Sequence, residues 1–473
     1  MFARASRRLR RRSTTAPSSW VTGVLATLSV LLSVSPPRTA SAEINVWTSN
    51  GPAGASISAL AIDPLAPSTL YAATTTGVFA MQPAAFTVDS IVDADDATPG
   101  DGVCATADGV CTLRAAVDES NALPDGSLIA APAGTYLLTR GVLAINIGVT
   151  LRGAGASHTR IDGGGLSQVF SVGQVAADIS DVTIQNGRGG ADPVGGIENN
   201  GHSTLTNVTI SGNVGLGGGI ANYGALTLTN STVSGNTGLL NENISGGGIA
   251  NYGTLALANG TVSGNVGGGG IANFGGTLTI TNSTVSNNLD EGGIFNFFGG
   301  TLTLRNTIVG DNADENCVGA IISQGHNLDS GASCGFSAVG DLSNTDPNLG
   351  PLQDNGGPTF THALLPGSSA IDAGDDAVTG PPLNLTTDQR GQPRRAGLHV
   401  DIGAVESSAT SCVGDCDMNG EVTVDELVRG VSIALGNLPL SRCFSVDSNG
   451  NHNVTVDELV AAVNDALNGC GRG

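Results

Sequence analysis

The chain has 473 residues, 70 of them glycine, and a formal net charge of −22. All 19 basic residues are arginine; seven of them precede residue 43, whereas none of the 41 acids does. Such acidity excludes nucleic acid and anionic membrane surfaces as partners, and it suits a calcium-containing exterior.

Residues 1–42 read as a cleavable signal peptide. Arg4, Arg7, Arg8, Arg10, Arg11 and Arg12 form a basic start. An apolar stretch over Val21–Val34 follows, too short to span a bilayer, and Ala40-Ser41-Ala42 resembles a cleavage site. The expectation is a secreted or cell-surface protein with no membrane span after cleavage. Its eight cysteines, an even number, read as disulfides. Their grouping pairs Cys104 with Cys111 and Cys317 with Cys334. Cys412, Cys416, Cys443 and Cys470 allow three connectivities.

Residues 43–85 form a β-rich extension. Within it LAIDPLAPSTLYAATTTGVF, Leu60–Phe79, resembles one blade of a sialidase-like propeller, and one blade cannot close a ring. Residues 86–125 hold a Gly/Asp-rich disulfide loop and a short helix over Leu113–Asn121. They suit a cap over the exposed edge of a following β-structure.

Residues 126–348 carry the repeat. GGGIANYG stands at Gly217–Gly224 and again at Gly246–Gly253, and GGGIANFG at Gly268–Gly275. A unit of about 23 residues cannot bury a core alone and must stack on its neighbours. Aligned, the copies expose three asparagine columns. The first is Asn199, Asn222, Asn251, Asn273 and Asn296. The second is Asn207, Asn230, Asn259, Asn282 and Asn306. The third is Asn213, Asn236, Asn265, Asn288 and Asn312. Between them residues alternate, with Leu226, Leu228 and Val233 inward and Thr or Ser outward. Asparagine tolerates the left-handed backbone of a corner, and its amide can bond the same amide one rung away. Three corners and three short strands per turn predict an all-β fold, a parallel β-helix, with a small C-terminal α-helical module.

These repeats resemble the right-handed parallel β-helix proteins of the pectin-lyase-like fold. TLRGAGASHTRIDGGG, Thr150–Gly165, resembles that fold's entry coil, and CTLRAAVDESNA is similar to its CSLREA motif. Residues 349–406 contain NGGPTFTHALLPGSSAIDAGD and TDQRGQPRRAGLHVDIGAVE, which resemble "choice-of-anchor" β-helix proteins. There Asp372, Asp375, Asp388, Arg390, Asp401 and Glu406 are expected to form an ion-pair network closing the helix end, with Arg114 as a residue of the opposite cap.

Residues 411–473 are a separate module. Asp415–Glu426 matches the calcium loop D-x-[DN]-x-[DN]-G-x₅-E. Calcium takes six to eight oxygens. Asp415, Asp417, Asn419, the Glu421 carbonyl, Thr423 and Glu426 supply them. A second loop repeats 32 residues later with Asp447, Asn449, Asn451, the Asn453 carbonyl, Thr455 and Glu458. It carries His452 where the first has Gly420 and is expected to bind more weakly. The pair resembles dockerin-type and EF-hand-like modules, which implies a protein partner; Glu426 and Glu458 depart from the Asp that dockerins carry.

Two readings of the solenoid compete. A surface protein binding a polysaccharide or surface glycan predicts a flat, ladder-lined face. A polysaccharide lyase or glycoside hydrolase predicts that Asp290, Glu291, Asp314 and Glu315 converge with Arg305 in a groove. In the plainer reading those acids are solvated turns, and Arg305 pairs with Asp311 or Asp314.

Overall fold

The computed structural model describes residues 48–49, 57–62, 70–74, 77–81, 84–123, 126–189, 194–239, 246–397, 399–407, 412–416, 421–448 and 452–468. The expected signal peptide lies outside them. Four strands, Thr48–Ser49, Ile57–Ile62, Leu70–Thr74 and Gly77–Met81, form an antiparallel sheet.

From Ala84 to Ser343 the chain is a parallel β-solenoid. Among the described residues it has three parallel sheets of ten, eight and ten strands. The long-strand sheet is built of five-residue strands such as Ala225–Thr229 and Thr277–Thr281. The ladder sheet holds Ile220–Asn222, Ile249–Asn251 and Ile271–Phe274. The third sheet holds Thr232–Ser234, Thr261–Ser263 and Thr284–Ser286. The alternation read from sequence sets the core: Ile220, Leu228, Ile249, Ile271, Leu278 and Val285 are fully buried inside the coil. Register holds every copy in line, so Leu226 faces Leu255 and Leu255 faces Leu278.

The asparagine columns divide their work. In the first, Asn199, Asn222, Asn251 and Asn273 each donate through Nδ2 to Oδ1 of the next, at 2.7, 2.7, 2.7 and 2.8 Å. These links join residues 23, 29, 22 and 23 apart, and the longest separation contains residues 240–245. In the third, Asn213, Asn236, Asn265 and Asn288 do the same at 2.9, 3.0, 2.9 and 2.9 Å, ending on Asn312. The second column is different. Asn207, Asn230, Asn259, Asn282 and Asn306 all have φ between 47° and 57°, the left-handed corner. Only a 3.3 Å contact from Asn259 to Asn230 links two of them, and both polar side-chain atoms of Asn282 are buried without a partner. The column therefore serves as a bend and not as a continuous ladder.

A short helix packs against the first coils of the solenoid. Helix α1, Leu113–Ala122, starts at Thr112, whose hydroxyl accepts from Ala115 N. Buried Glu119 accepts from Gly100 N and Gly102 N at 2.5 Å each, holding the disulfide loop on the helix. Arg114 pairs with Asp93 at 2.6 Å and donates to Gly141 O.

Residues 349–406 sit along the flank of the solenoid, not across its end. They lie on the third sheet: Thr232 Oγ1 donates to Phe360 O, Thr261 Oγ1 to Gln389 Oε1, and Ala404 N to Thr284 Oγ1. The reason is visible in register. The outward column Thr232, Thr261, Thr284 turns apolar at Ile308 and Leu328, which pack with Leu364, Ala370 and Ile402. That apolar foot seats the block, and threonine hydroxyls hold the rest of it.

Candidate functional site

Among the described residues, the disulfide pairs include Cys104–Cys111, Cys317–Cys334 and Cys416–Cys443. The third decides part of the connectivity the sequence left open, and Cys412 is disulfide-bonded as well. In the module, helix α2 spans Val424–Ala434 and helix α3 spans Val456–Asn468. Both loops end in the same geometry. Glu426 Oε2 accepts from Thr423 N at 2.7 Å and Thr423 Oγ1 at 2.8 Å; Glu458 Oε2 accepts from Thr455 N at 2.8 Å and Thr455 Oγ1 at 2.9 Å. Glu426 Oε1 also accepts from Cys416 N. Asp415, Glu426, Asp447 and Glu458 are each at most 4% exposed. His452 has φ +64, the backbone its glycine counterpart would supply, and donates its N–H to Asp447 Oδ2 at 2.7 Å. Buried carboxylates thus recur at matching positions of the two loops. Asp417, Asn419, Asn449 and Asn451, expected from the sequence to be side-chain ligands, lie outside the described residues. Among the described residues alone, no group of three His, Cys, Asp or Glu side chains is placed to hold a metal.

The module also exposes apolar side chains in duplicate. Val424, Val428, Val431 and Leu435 follow α2 at helical spacing, and Val456, Val460, Val463 and Leu467 repeat them along α3. Each is between 43% and 79% exposed.

The paired acids occupy adjacent rungs, since Ala313 N donates to Asn288 O and Gly293 N to Glu315 O. Asp290, Glu291 and Asp314 take left-handed turn conformations, and all four acids are exposed. They stand between the third sheet and the ladder sheet. Arg305 does not join them. It ends a long strand at a different corner and pairs with Asp375 at 2.5 Å, not with Asp311 or Asp314. Burial opposes ionisation of Asp375, but the Arg305 hydrogen bond and the Ala377 N–H outweigh it and hold the carboxyl below its ordinary range. An open depression of about 460 Å³ is lined by Asp162, Asn186, Arg188 and Val214. Asp162 is already bonded there by Gln185 and Asn186.

The block on the third sheet buries its charge. Arg394 is fully buried and donates to Asn259 Oδ1, Gly403 O and Ala404 O. Asp388 pairs with Arg390 at 2.8 Å. Glu406 accepts from Ala396 N and Asp401 N. Burial, and then the neighbouring Asp401, push the Glu406 carboxyl up to about 8.

With the third sheet covered from Thr232 onward, the long-strand sheet presents the broad bare face. Thr204 faces Thr227, Thr254 faces Thr277 and then Thr301, and Thr279 faces Thr303. Thr204, Thr227, Thr254, Thr277, Thr279 and Thr301 are exposed. Along one edge runs a file of stacked rings, with Tyr223–Tyr252, Tyr252–Phe274 and Phe274–Phe297 centroids 4.9, 5.1 and 6.2 Å apart. Each ring directly follows a first-column asparagine. Tyr223, Phe297 and the adjoining Phe298 are 44%, 37% and 79% exposed. Burial pushes the Tyr252 hydroxyl up to about 12. Sequence reasoning gave the outward threonines but missed the ring file, although NYG, NYG, NFG and NFFG spell it out.

Neither a protein-family model nor a curated protein sequence matches the chain. Among solved structures the chain is similar to the "Agl-KA catalytic domain", at 18% identity and a TM-score of 0.31 over 54% of this chain and 50% of that one. The match spans half the length of that chain, and a likeness this slight bears on neither activity nor substrate.

Proposed function

We propose that this is an exported, calcium-binding β-helix protein of the cell surface that holds a polysaccharide or surface glycan on its threonine face. The observation that carries the reading is that face: hydroxyl-rich, edged by aromatic rings, and bare where the third sheet is covered. Disulfides accord with an oxidising exterior. The C-terminal module folds on calcium through its two loops, and its duplicated apolar helix stripes suit a protein partner.

Calorimetry of the protein after residue 42, with calcium as titrant, is expected to show uptake. Glu426→Gln should raise Kd by about tenfold or more, and Glu458→Gln should have a smaller effect. Because Glu426 also caps α2, calcium-free melting curves of parent and variant are compared alongside. Absence of heat with the unsubstituted protein would end the calcium reading.

The adjacent-rung placement of Asp290, Glu291, Asp314 and Glu315 keeps a second reading in view, a polysaccharide lyase or glycoside hydrolase. It requires release of unsaturated or reducing ends from polysaccharide with calcium present. Product that persists when these four acids are replaced would remove them from that role.

A further inference from the structure

We infer that the threonine face takes a neutral polysaccharide in its ordered, insoluble form, with chains running along the solenoid axis. The inference rests on the glycan reading above and narrows it.

Charge comes first. The outward positions of the long-strand sheet pass from Asp178 to Arg305 without an intervening carboxylate, lysine or arginine. Arg305 itself is engaged by Asp375. Between those two ends an acidic polymer meets no lysine or arginine, and it is repelled by a chain of net charge −22. A cationic polymer meets no acid over the same stretch. The matching occupant is uncharged.

Chemistry narrows it further. Each threonine offers one hydroxyl that donates and accepts, beside one methyl. Among the described residues the hydroxyls of Thr204, Thr227, Thr277, Thr279, Thr301 and Thr303 make no hydrogen bond within the protein. Their proper partner is a surface that mixes hydroxyls with C–H groups, as sugar rings do. The ring file supplies an apolar edge for the C–H side.

Geometry gives order and direction. Rungs stack about 4.8 Å apart, and alternate residues along a strand are about 6.7 Å apart. The hydroxyls thus lie on a fixed two-dimensional net. A rigid net favours a ligand that is already regular, because a flexible chain must lose conformational entropy to match it. Across the sheet only three outward positions are available per rung, whereas along the axis the threonine columns, broken at Ala256 and Ala258, and the rings run on from rung to rung. A chain laid along the axis makes many contacts; one laid across makes few.

The test uses the protein after residue 42, with calcium. Co-sedimentation is measured with microcrystalline cellulose and with chitin; retardation in gels is measured with soluble polygalacturonate and soluble dextran. Thr227→Glu with Thr279→Glu places charge on the face, the corresponding valine pair removes only the hydroxyls, and exposed Asp108→Asn, away from the face, serves as control. We expect co-sedimentation with an insoluble neutral polymer, a loss of about tenfold in bound protein for the glutamate pair, a smaller loss for the valine pair, and none for the control. Unaltered melting curves establish that the variants are folded. Retardation by polygalacturonate or dextran that the glutamate pair abolishes, without co-sedimentation, overturns the inference and leaves the glycan reading standing. Binding unaffected by either pair, or no glycan binding at all, overturns both. Inhibition of ice growth that the glutamate pair abolishes, without glycan binding, assigns the net to ordered water and likewise overturns both.

Discussion

Replacing Asn251 by leucine is expected to destabilise the solenoid by about 3 kcal/mol, whereas Asn230→Gly should change stability by about 1 kcal/mol or less. Both residues are asparagines of the same repeat, so the contrast tests position and not residue type. Asn251 is fully buried; its Oδ1 accepts from Asn222, and its Nδ2 donates to Asn273 Oδ1 and to the Gly253 and Thr277 carbonyls. Leucine fills the volume and abolishes these bonds. It strands the Asn273 acceptor, deprives Asn222 of its shortest partner, and interrupts the ladder in the middle of its run. A buried polar group left unmade costs about 1–3 kcal/mol. Asn230 sits at φ +51 in the bend column, with only a 3.3 Å contact from Asn259 at stake. Glycine adopts that backbone freely. Denaturant midpoints of the two variants measure the difference; equal midpoints would show that the first column contributes no more than a bend.

The same contrast marks how far the sequence was legible. Hydrophobic alternation reports which way a side chain points relative to its own coil. It placed Leu226, Leu228 and Val233 inside correctly, and the columns gave the corners. It does not report what covers an outward face. Thr232 and Thr261 read like Thr227 and Thr279, yet the first two are fully buried beneath the C-terminal block and the last two are exposed. The contacts that separate their fates join residues far apart, 128 positions from Thr261 to Gln389 and 135 from Asn259 to Arg394. A local pattern carries no trace of them beyond the switch from threonine to Ile308 and Leu328. Arg305 illustrates the same limit: its near neighbours Asp311 and Asp314 were the natural partners in sequence, and the fold delivered Asp375 from 70 residues away. The calcium loops could be proposed from the sequence alone because each places all its proposed ligands within twelve consecutive residues.

Arg394→Met is expected to loosen the C-terminal block by about 3–5 kcal/mol, the cost of removing one partner from a buried charged cluster. Asp388, Asp401 and Glu406 are each at most 2% exposed, and Arg394 is fully buried among them. Methionine replaces much of the volume but removes the cation that faces Asp401 and Glu406, while Asp388 keeps Arg390. It also frees Asn259 Oδ1 and the Gly403 and Ala404 carbonyls. Lysine should restore little, since one ammonium cannot reproduce the fork that spans all three acceptors. Proteolysis within residues 349–406 should therefore accelerate in both variants while the coil core resists. The pH dependence follows from Glu406. Its folded carboxyl titrates near 8 against an ordinary value of 4.5, so the folded block holds a proton that the unfolded chain has released. Stability is thus full below about 4.5 and falls as pH rises through 8. Arg394 favours the ionised form of Glu406, so its loss moves that upper limit higher still. Melting temperatures at pH 5.5 and 8.5 should differ in the parent, with the acid side more stable, and Glu406→Gln should flatten the slope. A slope that survives Glu406→Gln would place the titrating group elsewhere in the cluster, with buried Asp401, whose carboxyl is also raised by burial, as the next group to substitute.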